Sequence, residues 1–317
     1  MPDAGVHRAV SEVIASAPAG VLYGLIADAT QWPLFFPPCV HVEQLEFDGT
    51  RERLRMWAMT GDKVASWVSS RRLDVGRRRV EFTKDLPDAP VESMSGVWTV
   101  VPLGDNRSRV TLEHTFTVVG DDPGDAAWVE RVTVVNSRAQ LDRLAWMAER
   151  WTRLDDLALS FEDSVHVKAP AELIFDFLYR AEDWPVQLPH VHSLDVIEQA
   201  AGVQMMRMGS GMDGAAHTTE SVRICFPSAG RIVYKQTRTA PLLTAHTGEW
   251  SLEPDESGVN LVARHNVVLA EEAIEAVLGE GTTVAEAAQH VRDRIGRAGL
   301  LVLQHATRHA AGAVRVL

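Results

Sequence analysis

The amino-acid sequence contains an internal repeat with a constant spacing. Four short patterns of the first half recur in the second half, each displaced by 152 positions. The pairs are Ala17-Pro18-Ala19 with Ala169-Pro170-Ala171, Trp32-Pro33 with Trp184-Pro185, Ser69-x-Arg71 with Ser221-x-Arg223, and Gly96-x-Trp98 with Gly248-x-Trp250. A constant offset over scattered landmarks indicates duplicated domains with nearly equal element lengths. We therefore predict two domains, residues 1–153 and 154–317, and an insertion past the last strand, where the offset changes.

Chain length and composition agree with this division. A chain of 317 residues exceeds one core of usual size, and 46% apolar residues with mixed charges are typical of globular proteins. A net charge of -12 argues against a nucleic-acid partner. We expect no membrane contact, because no apolar run approaches the roughly 20 residues of a span and the N-terminus lacks a signal-peptide core. Two cysteines, Cys39 and Cys225, cannot form a disulfide framework, so a cytoplasmic location is expected.

Each copy is predicted to have the same order of elements. Residues 6–16 alternate in polarity like a strand, and Pro18 suits the first turn of a helix that ends near Asp28. Six β-rich runs separated by turn signals follow between residues 41 and 118. Residues 126–153 lack Gly and Pro and are predicted to form one long helix, as are residues 283–311 in the second copy. The expected fold is α+β: two tandem helix-grip domains, each a curved antiparallel sheet wrapped around a long C-terminal helix.

Two features of the first copy carry a resemblance to a known family. Trp32-Pro33 together with Trp67-x-Ser69-x-Arg71 is similar to the aromatase/cyclases of bacterial aromatic polyketide synthesis, within the START/Bet v1-like superfamily. Two fused copies resemble the di-domain members. The resemblance implies a pocket between sheet and helix, into which Arg71 points to bind polyketide carbonyl oxygens and favour the enolate. Family members often carry a tyrosine just after Trp-Pro, whereas this chain has Cys39 and Val191 there.

The same resemblance implies an activity and partners. It predicts a cyclase/dehydratase that folds a carrier-protein-bound poly-β-ketone, already reduced once by a ketoreductase, and forms the first aromatic ring by cyclisation and loss of water. An acyl carrier protein is the expected partner, with contacts to the ketosynthase and ketoreductase of the synthase. No cofactor is expected. Because the same fold also carries lipids without chemistry, a non-catalytic hydrophobic ligand-binding protein is the alternative.

A histidine and a carboxylate are candidates for proton transfer. His114 shares a strand face with Leu112 and Phe116, which fits either a core histidine or a cavity residue. Asp142 shares a predicted helix stripe with Val135 and Trp146. It either pairs with Arg71 or His114 for structural reasons or orients His114 as a base. The resemblance favours the second, and we expect Arg71, His114 and Asp142 to form the catalytic group.

Aromatic and hydroxyl side chains are candidates for substrate binding. The substrate-binding set of the first domain is Trp32, Trp67, Ser69, Trp98 and Phe36. The second-domain candidates are Arg223, His265, Ser221 and Trp184. Thr219 stands where the first copy has Trp67, which leaves the second pocket less aromatic. Both domains being active is one possibility. The other is that one copy is catalytic and the other a scaffold or a dock for the synthase, and the loss of the Trp67 equivalent at Thr219 favours the second copy as the scaffold.

Two further patterns are interpreted as structural. Gly209-x-Gly211-x-x-Gly214 matches a dinucleotide-binding motif, but a strand rather than a helix follows it, so a glycine-rich hairpin is predicted. His190-x-His192 lacks a nearby third ligand, so we expect no metal site.

Overall fold

The computed structural model describes residues 5–87, 89–212 and 215–314. The chain forms two compact units, the first ending at Leu154 and the second beginning at Asp155. The boundary predicted from the repeat lies one residue earlier, and the assignment of a separate cyclase role to each unit stays a prediction.

The first unit is a seven-stranded antiparallel sheet with two short helices and one long helix. Its sheet order is β1-β7-β6-β5-β4-β3-β2, a meander whose last strand returns to pair with the first. The strands are β1 His7–Ala15, β2 Cys39–Phe47, β3 Arg51–Thr60, β4 Lys63–Asp74, β5 Arg79–Asp85, β6 Val91–Gly104 and β7 Arg107–Val118. The helices are α1 Ala19–Ala27, α2 Trp32–Phe35 and α3 Pro123–Ala148. A short helix, α4 Leu154–Leu157, begins at the last residue of this unit and continues into the second.

The second unit repeats this topology. Its sheet order is β8-β14-β13-β12-β11-β10-β9, again antiparallel throughout. The strands are β8 Ala158–Val167, β9 Val191–Ala200, β10 Val203–Met212, β11 Ala215–Phe226, β12 Arg231–Arg238, β13 Leu243–Asp255 and β14 Gly258–Leu269. The helices are α5 Ala171–Tyr179, α6 Trp184–Gln187, α7 Ile274–Leu278 and α8 Val284–Val314. The predicted α+β helix-grip arrangement is confirmed. A 3-10 turn follows the last strand in both units, so the insertion consists of α7 and the residues between it and α8.

The core of each unit lies between the concave face of the sheet and the helices. In the first unit, Leu141 and Leu144 of α3 pack in one cluster with Leu22 of α1 and Trp98 of β6. In the second unit, Leu303 of α8 packs in the corresponding cluster. The terminal helix therefore closes the open side of each sheet, because its apolar face must be buried against another layer.

The first terminal helix differs from the prediction in its ends and in its buried face. It begins at Pro123 because the Asp122 side chain caps it, accepting hydrogen bonds from the backbone N–H groups of Gly124 and Asp125. It ends at Ala148, and residues 151–153 form a separate 3-10 turn. Its buried residues are Ala126, Val129, Thr133, Ser137, Leu141, Leu144, Ala145, Met147 and Ala148.

The prediction that Asp142 lies on the buried face of α3 is wrong. Asp142 is exposed, as are Trp128 and Val135 of the same predicted stripe. The buried face carries two hydroxyl residues, Thr133 and Ser137, among apolar ones, and it is not the stripe that the prediction selected. Asp142 is therefore directed away from Arg71 and His114.

Candidate functional site

The Trp-Pro and Arg landmarks of the first copy meet at the end of helix α1. Trp32 Nε1 donates a hydrogen bond to the carbonyl oxygen of Leu25 at 3.1 Å. Arg71 Nη2 donates to the carbonyl of Ile26 at 2.7 Å, and the guanidinium lies 5.0 Å from the centre of the Trp32 ring. The last carbonyls of a helix have no partner within the helix and lie at its negative end, where a cation is favourable. These two residues thus fix the C-terminus of α1.

The second copy reproduces the same contacts at the same offset. Trp184 Nε1 donates to the carbonyl of Phe177 at 3.2 Å, and Arg223 Nη2 donates to the carbonyl of Leu178. The Arg223 guanidinium lies 5.7 Å from the centre of the Trp184 ring. Much of the repeated signature therefore has a structural purpose, which is to hold the helix that closes one end of the cavity.

Arg71 has a buried counter-ion. Its Nη1 lies 3.0 Å from Glu52 Oε1, and the two side chains are 2% and 4% exposed. Burial lowers the pKa of Arg71 to about 10, while Glu52 acts in the opposite direction. The inward orientation expected for Arg71 is present, yet its donors are directed at Glu52 and at the end of α1.

The aromatic candidates of the first unit form one packed cluster. The Trp32 ring contacts Phe36 and Trp98 edge to face, with centroids 5.2 and 6.5 Å apart. Trp67 packs against the same core, and Lys84 Nζ lies 5.1 Å from the centre of its ring. These side chains therefore belong to the core cluster of the first unit or pack against it.

Ser69 and His114 of the first unit have partners within the protein. Ser69 Oγ donates to the backbone carbonyl of Thr83 at 3.1 Å. His114 Nδ1 lies 3.5 Å from Ser137 Oγ of α3, and its ring meets Phe82 edge to face at 5.4 Å. Burial lowers the pKa of His114 to about 4, so the ring is neutral at pH 7. Ser137, rather than Asp142, is the α3 residue at this histidine.

The second unit contains a cavity of about 350 Å3 between sheet and helix. Its volume is in the range of small-molecule sites. All four second-unit candidates, Trp184, Ser221, Arg223 and His265, line it. Thr219 lines it as well, at the position where the first unit has Trp67.

One wall of this cavity carries a Tyr–His–His cluster. Tyr234 Oη lies 2.8 Å from His265 Nδ1 and 3.3 Å from His246 Nε2. The two histidine nitrogens are 3.3 Å apart. Tyr234 on β12, His246 on β13 and His265 on β14 are brought together because these three strands are neighbours in the sheet.

The first unit lacks this cluster. Phe82 and Met94 stand 152 positions before Tyr234 and His246. The sequence analysis identified His265 but missed Tyr234 and His246. Aligning the two copies could have found them, because an apolar residue of the first copy is replaced by a polar one at each of these two positions. The polar chemistry of the two units is therefore different.

The free nitrogen of His265 faces the cavity. His265 is 3% exposed, and its Nε2 has no hydrogen-bond partner among the residues that the structure describes. Gly299 of α8 lies against it, and a Cβ at that position would come within 3.3 Å of Nε2. An unpaired buried polar atom is costly, and this one is available to a ligand.

Hydrogen bonds within the cluster can run in two directions. If Tyr234 donates to His265 Nδ1, the proton of His265 is on Nε2, which then donates into the cavity. If His265 Nδ1 donates to Tyr234 and Tyr234 donates to His246, then Nε2 is an acceptor. Each direction leaves all three residues neutral. His265 Nε2 can therefore give or take a proton.

Burial keeps the cluster neutral near pH 7. Burial lowers the pKa of His265 to about 4 and that of His246 to about 3, and it raises the pKa of Tyr234. His265 thus remains a neutral base over the physiological pH range, although its ordinary pKa of 6.5 would leave part of it protonated.

The glycine-rich motif and the His-x-His pattern, which the sequence analysis interpreted as structural, lie at the following positions. The Gly209 and Gly211 stretch lies on β10 and runs into β11, while residue 214 lies outside the described residues. His190 is buried at the cavity wall, and His192 is exposed. Among the described residues, no group of three His, Cys, Asp or Glu is placed to hold a metal ion. None of the helices in that part of the chain is long and apolar enough to cross a membrane.

Comparisons with known proteins give a consistent result. Residues 15–140 match the family described as polyketide cyclase / dehydrase and lipid transport. The bifunctional cyclase/dehydratase of the granaticin polyketide synthase of Streptomyces violaceoruber is 39% identical over 98% of this chain and 96% of its own length. The corresponding actinorhodin protein of Streptomyces coelicolor is 37% identical over 99% of this chain and all of its own length.

Solved structures agree with the sequence comparisons. The crystal structure of the di-domain ARO/CYC BexL of the BE-7585A biosynthetic pathway superposes with a TM-score of 0.88 at 41% identity, covering 96% of this chain and 98% of that one. The di-domain ARO/CYC StfQ of the steffimycin pathway superposes with a TM-score of 0.83 at 33% identity, covering 96% and 99%.

Proposed function

The chain belongs to the bifunctional polyketide synthase cyclase/dehydratases, and we propose that its chemistry takes place in the cavity of the second unit. It is an aromatase/cyclase rather than a passive carrier of hydrophobic ligands. The observation that carries the location is His265, whose Nε2 faces a cavity of about 350 Å3 with no partner among the described residues.

The substrate we propose is a carrier-protein-bound poly-β-ketone that a ketoreductase has reduced once. The cavity is lined mainly by apolar side chains, among them Met206, Leu242 and Val302, with polar groups at separate points of its wall. Such a lining suits a partly unsaturated chain with carbonyl groups at intervals. An acyl carrier protein would deliver the chain, and the ketosynthase and ketoreductase would act before this enzyme.

His265 is proposed as the group that moves protons. In the acceptor direction of the cluster, Nε2 takes a proton from the carbon between two carbonyls, and an enolate forms. The enolate carbon attacks a second carbonyl of the folded chain, and Nε2 returns the proton to the new alkoxide. In the dehydration, Nε2 takes the next carbon-bound proton and gives it to the departing hydroxyl, which leaves as water. Protons balance at each step without another reagent.

Tyr234 and His246 are proposed as positioning residues for His265. They contact its Nδ1 and not the cavity-facing Nε2. A hydrogen-bond partner at one ring nitrogen fixes the tautomer and the ring orientation of a histidine. Arg223 also lines the cavity. It is proposed to stabilise the oxyanion that develops on the carbonyl oxygen during the attack.

The first unit is proposed to support the structure rather than to react. Arg71 is paired with Glu52, the aromatic candidates are packed against each other, and Asp142 is exposed. This assignment reverses the expectation that the loss of Trp67 at Thr219 makes the second copy the scaffold. The smaller residue opens the cavity that a substrate needs.

A reconstitution with matched histidine variants tests the proposal. A minimal aromatic polyketide synthase and ketoreductase are combined with the full chain, His265→Asn or His114→Asn, and the products are resolved by chromatography and mass spectrometry. We expect the wild-type protein to replace shunt products with one dehydrated, first-ring-aromatised product. His265→Asn should slow its formation about 100-fold or more, the usual contribution of a general acid–base group, whereas His114→Asn should leave the product pattern unchanged.

Two results would contradict this assignment. Equal losses in both histidine variants would mean that both units react. Loss only in His114→Asn would place the chemistry in the first unit.

The positioning role of Tyr234 is tested by Tyr234→Phe, which introduces the residue found at the equivalent position of the first unit, Phe82. This variant should lower kcat about tenfold with KM little changed, because Tyr234 then no longer fixes the tautomer of His265.

A further inference from the structure

The residue opposite the inward arginine carries a charge in the first copy and none in the second. Glu52 on β3 pairs across the sheet with Arg71 on β4, and Gln204 on β10 pairs across the sheet with Arg223 on β11. Both pairs lie at the same register, 152 positions apart. The first arginine thus has a carboxylate as its cross-strand neighbour, and the second has a neutral amide.

The side-chain amide of Gln204 forms a hydrogen bond with a backbone carbonyl. Gln204 is 1% exposed, and its Nε2 donates to the carbonyl oxygen of Tyr179 at 3.3 Å. The thiol of Cys225 lies 3.9 Å from its Oε1, and burial raises the pKa of that thiol to about 11, so it carries no charge at pH 7. Gln204 therefore supplies no negative charge to the arginine beside it.

Arg223 retains one unused end of its guanidinium. Arg223 is 3% exposed; its Nη2 donates to Leu178, while its Nη1 has no hydrogen-bond partner in the described part of the chain, as is also true of Nη1 of Arg71. The Nη1 of Arg71, however, lies 3.0 Å from the Glu52 carboxylate. Arg223 lines the cavity. A guanidinium stays protonated in proteins, so this is a buried positive charge with free N–H donors.

The surroundings of Arg223 provide little compensation. Burial lowers the pKa of Arg223, and Glu182, the carboxylate that opposes this effect, is exposed. No ion pair joins Arg223 to a carboxylate within the described residues. In the first unit Asp28 also acts on Arg71, whereas the equivalent position in the second unit is Arg180. A buried charge without a partner is strongly unfavourable unless a ligand supplies the opposite charge.

We propose that Gln204 is a specificity-determining residue, which leaves the charge of Arg223 uncompensated so that the second cavity selects the enolate anion of a 1,3-dicarbonyl chain. Glu52 cancels the corresponding charge in the first unit, which therefore has no such preference. The inference rests on the proposed function for its ligand class, because a poly-β-ketone consists of 1,3-dicarbonyl units. It adds the residue that decides which of the two copies binds the anion.

A spectroscopic titration of a small diketone tests this inference without any turnover. The enolate of 1-phenyl-1,3-butanedione absorbs differently from its neutral form, so its apparent pKa can be measured in the presence of excess full-length protein. We expect the wild-type protein to lower that pKa by at least one unit, which corresponds to at least tenfold tighter binding of the anion. Gln204→Glu should abolish the shift, since the new carboxylate takes the place that Glu52 has beside Arg71.

Gln204→Met is the matched control, because it removes the amide and adds no charge. It should retain the shift. Thermal unfolding of each variant verifies that the comparison is made on folded protein. A Gln204→Glu protein that still lowers the diketone pKa as wild type does would overturn the inference, as would a Gln204→Met protein that loses the shift.

The outcomes separate this inference from the proposed function. A wild-type protein that lowers the diketone pKa but does not alter the products of the reconstituted synthase would contradict the function and leave the anion site standing. A protein that forms the aromatised product but shows no pKa shift, or whose Gln204→Glu variant remains fully active, would contradict the role of Gln204 and leave the function standing.

Discussion

Arg71 and Arg223 show how one residue type can have two consequences at equivalent positions. Both donate to the last carbonyls of the preceding helix, and both lie beside the Trp of the Trp-Pro signature. They differ in the residue that pairs with them across the sheet, which is Glu52 in one unit and Gln204 in the other. The arginine motif therefore marks the fold in both units, while its neighbour decides whether the charge is available.

Removing Arg71 is expected to affect stability more than chemistry. Arg71→Met leaves Glu52 buried without its partner, which should lower the free energy of unfolding by about 3–5 kcal/mol. The double variant Arg71→Met with Glu52→Leu should recover most of that loss, because it removes both charges together. Urea denaturation of the two single variants and the double variant measures the effect. Stability close to wild type in Arg71→Met, combined with loss of the aromatised product, would instead support the catalytic role inferred from the family resemblance.

At the scale of elements, the strands followed the sequence closely and the long helix did not. Strand β7 alternates as expected, with Leu112, Phe116 and Val118 buried, because a strand offers only two faces. Helix α3 offers a continuous range of faces, and the stripe that the prediction selected contains the exposed Trp128 and Val135. The side that packs contains Thr133 and Ser137. Periodicity alone therefore placed Asp142 on the wrong side.

The Gly-x-Trp landmark has an explanation in neighbouring strands. The Tyr234 ring crosses Gly248 of β13, and the Phe82 ring crosses Gly96 of β6 in the same manner. A Cβ at either glycine would overlap the aromatic ring. The glycine is thus required for the close approach of the ring, and in the second unit that ring carries the hydroxyl of the cluster.

A pair of glycine substitutions tests whether the position of Tyr234 matters for activity. Gly248→Ala and Gly96→Ala should each lower the free energy of unfolding by about 1–3 kcal/mol, the usual cost of overpacking. Only Gly248→Ala should reduce product formation, because only there does the displaced ring move a hydroxyl away from His265 and His246. The assay is run on protein verified as folded. Equal losses of product in both variants would contradict the separation of roles between the units.

At the scale of the whole molecule, buried histidines make stability depend on pH. Burial lowers the pKa of His114 to about 4, of His246 to about 3 and of His265 to about 4, each from an ordinary value of 6.5. The unfolded chain therefore binds protons more readily than the folded protein below pH 6.5. The free energy of unfolding should fall as the pH decreases from about 6.5, by up to about 1.4 kcal/mol per histidine and pH unit.

Urea denaturation at pH 7.0 and pH 5.0 measures this dependence, in a range above the ordinary pKa values of the carboxylates. The matched variant is His246→Met, which introduces the residue found at the equivalent position of the first unit, Met94. It should lose less stability than wild type between the two pH values, since one titrating group is gone. Equal stability at both pH values, or an unchanged dependence in His246→Met, would contradict burial as the cause.

The sequence by itself determined the duplication, the order of strands and helices, the family and several residues of the second cavity. These follow from short-range patterns, since alternation, turn residues and a constant offset are properties of the chain alone. Arg223, His265, Ser221 and Trp184 were identified in this way and do line one cavity.

Only the tertiary structure decided which polar groups meet in the cavity of the second unit. Tyr234, His246 and His265 lie on three strands and become neighbours only when the sheet forms. The exposure of Asp142 likewise depends on how α3 rotates against the sheet. Space and pairing result from contacts between residues far apart in the chain, and a single sequence does not specify such contacts through local periodicity.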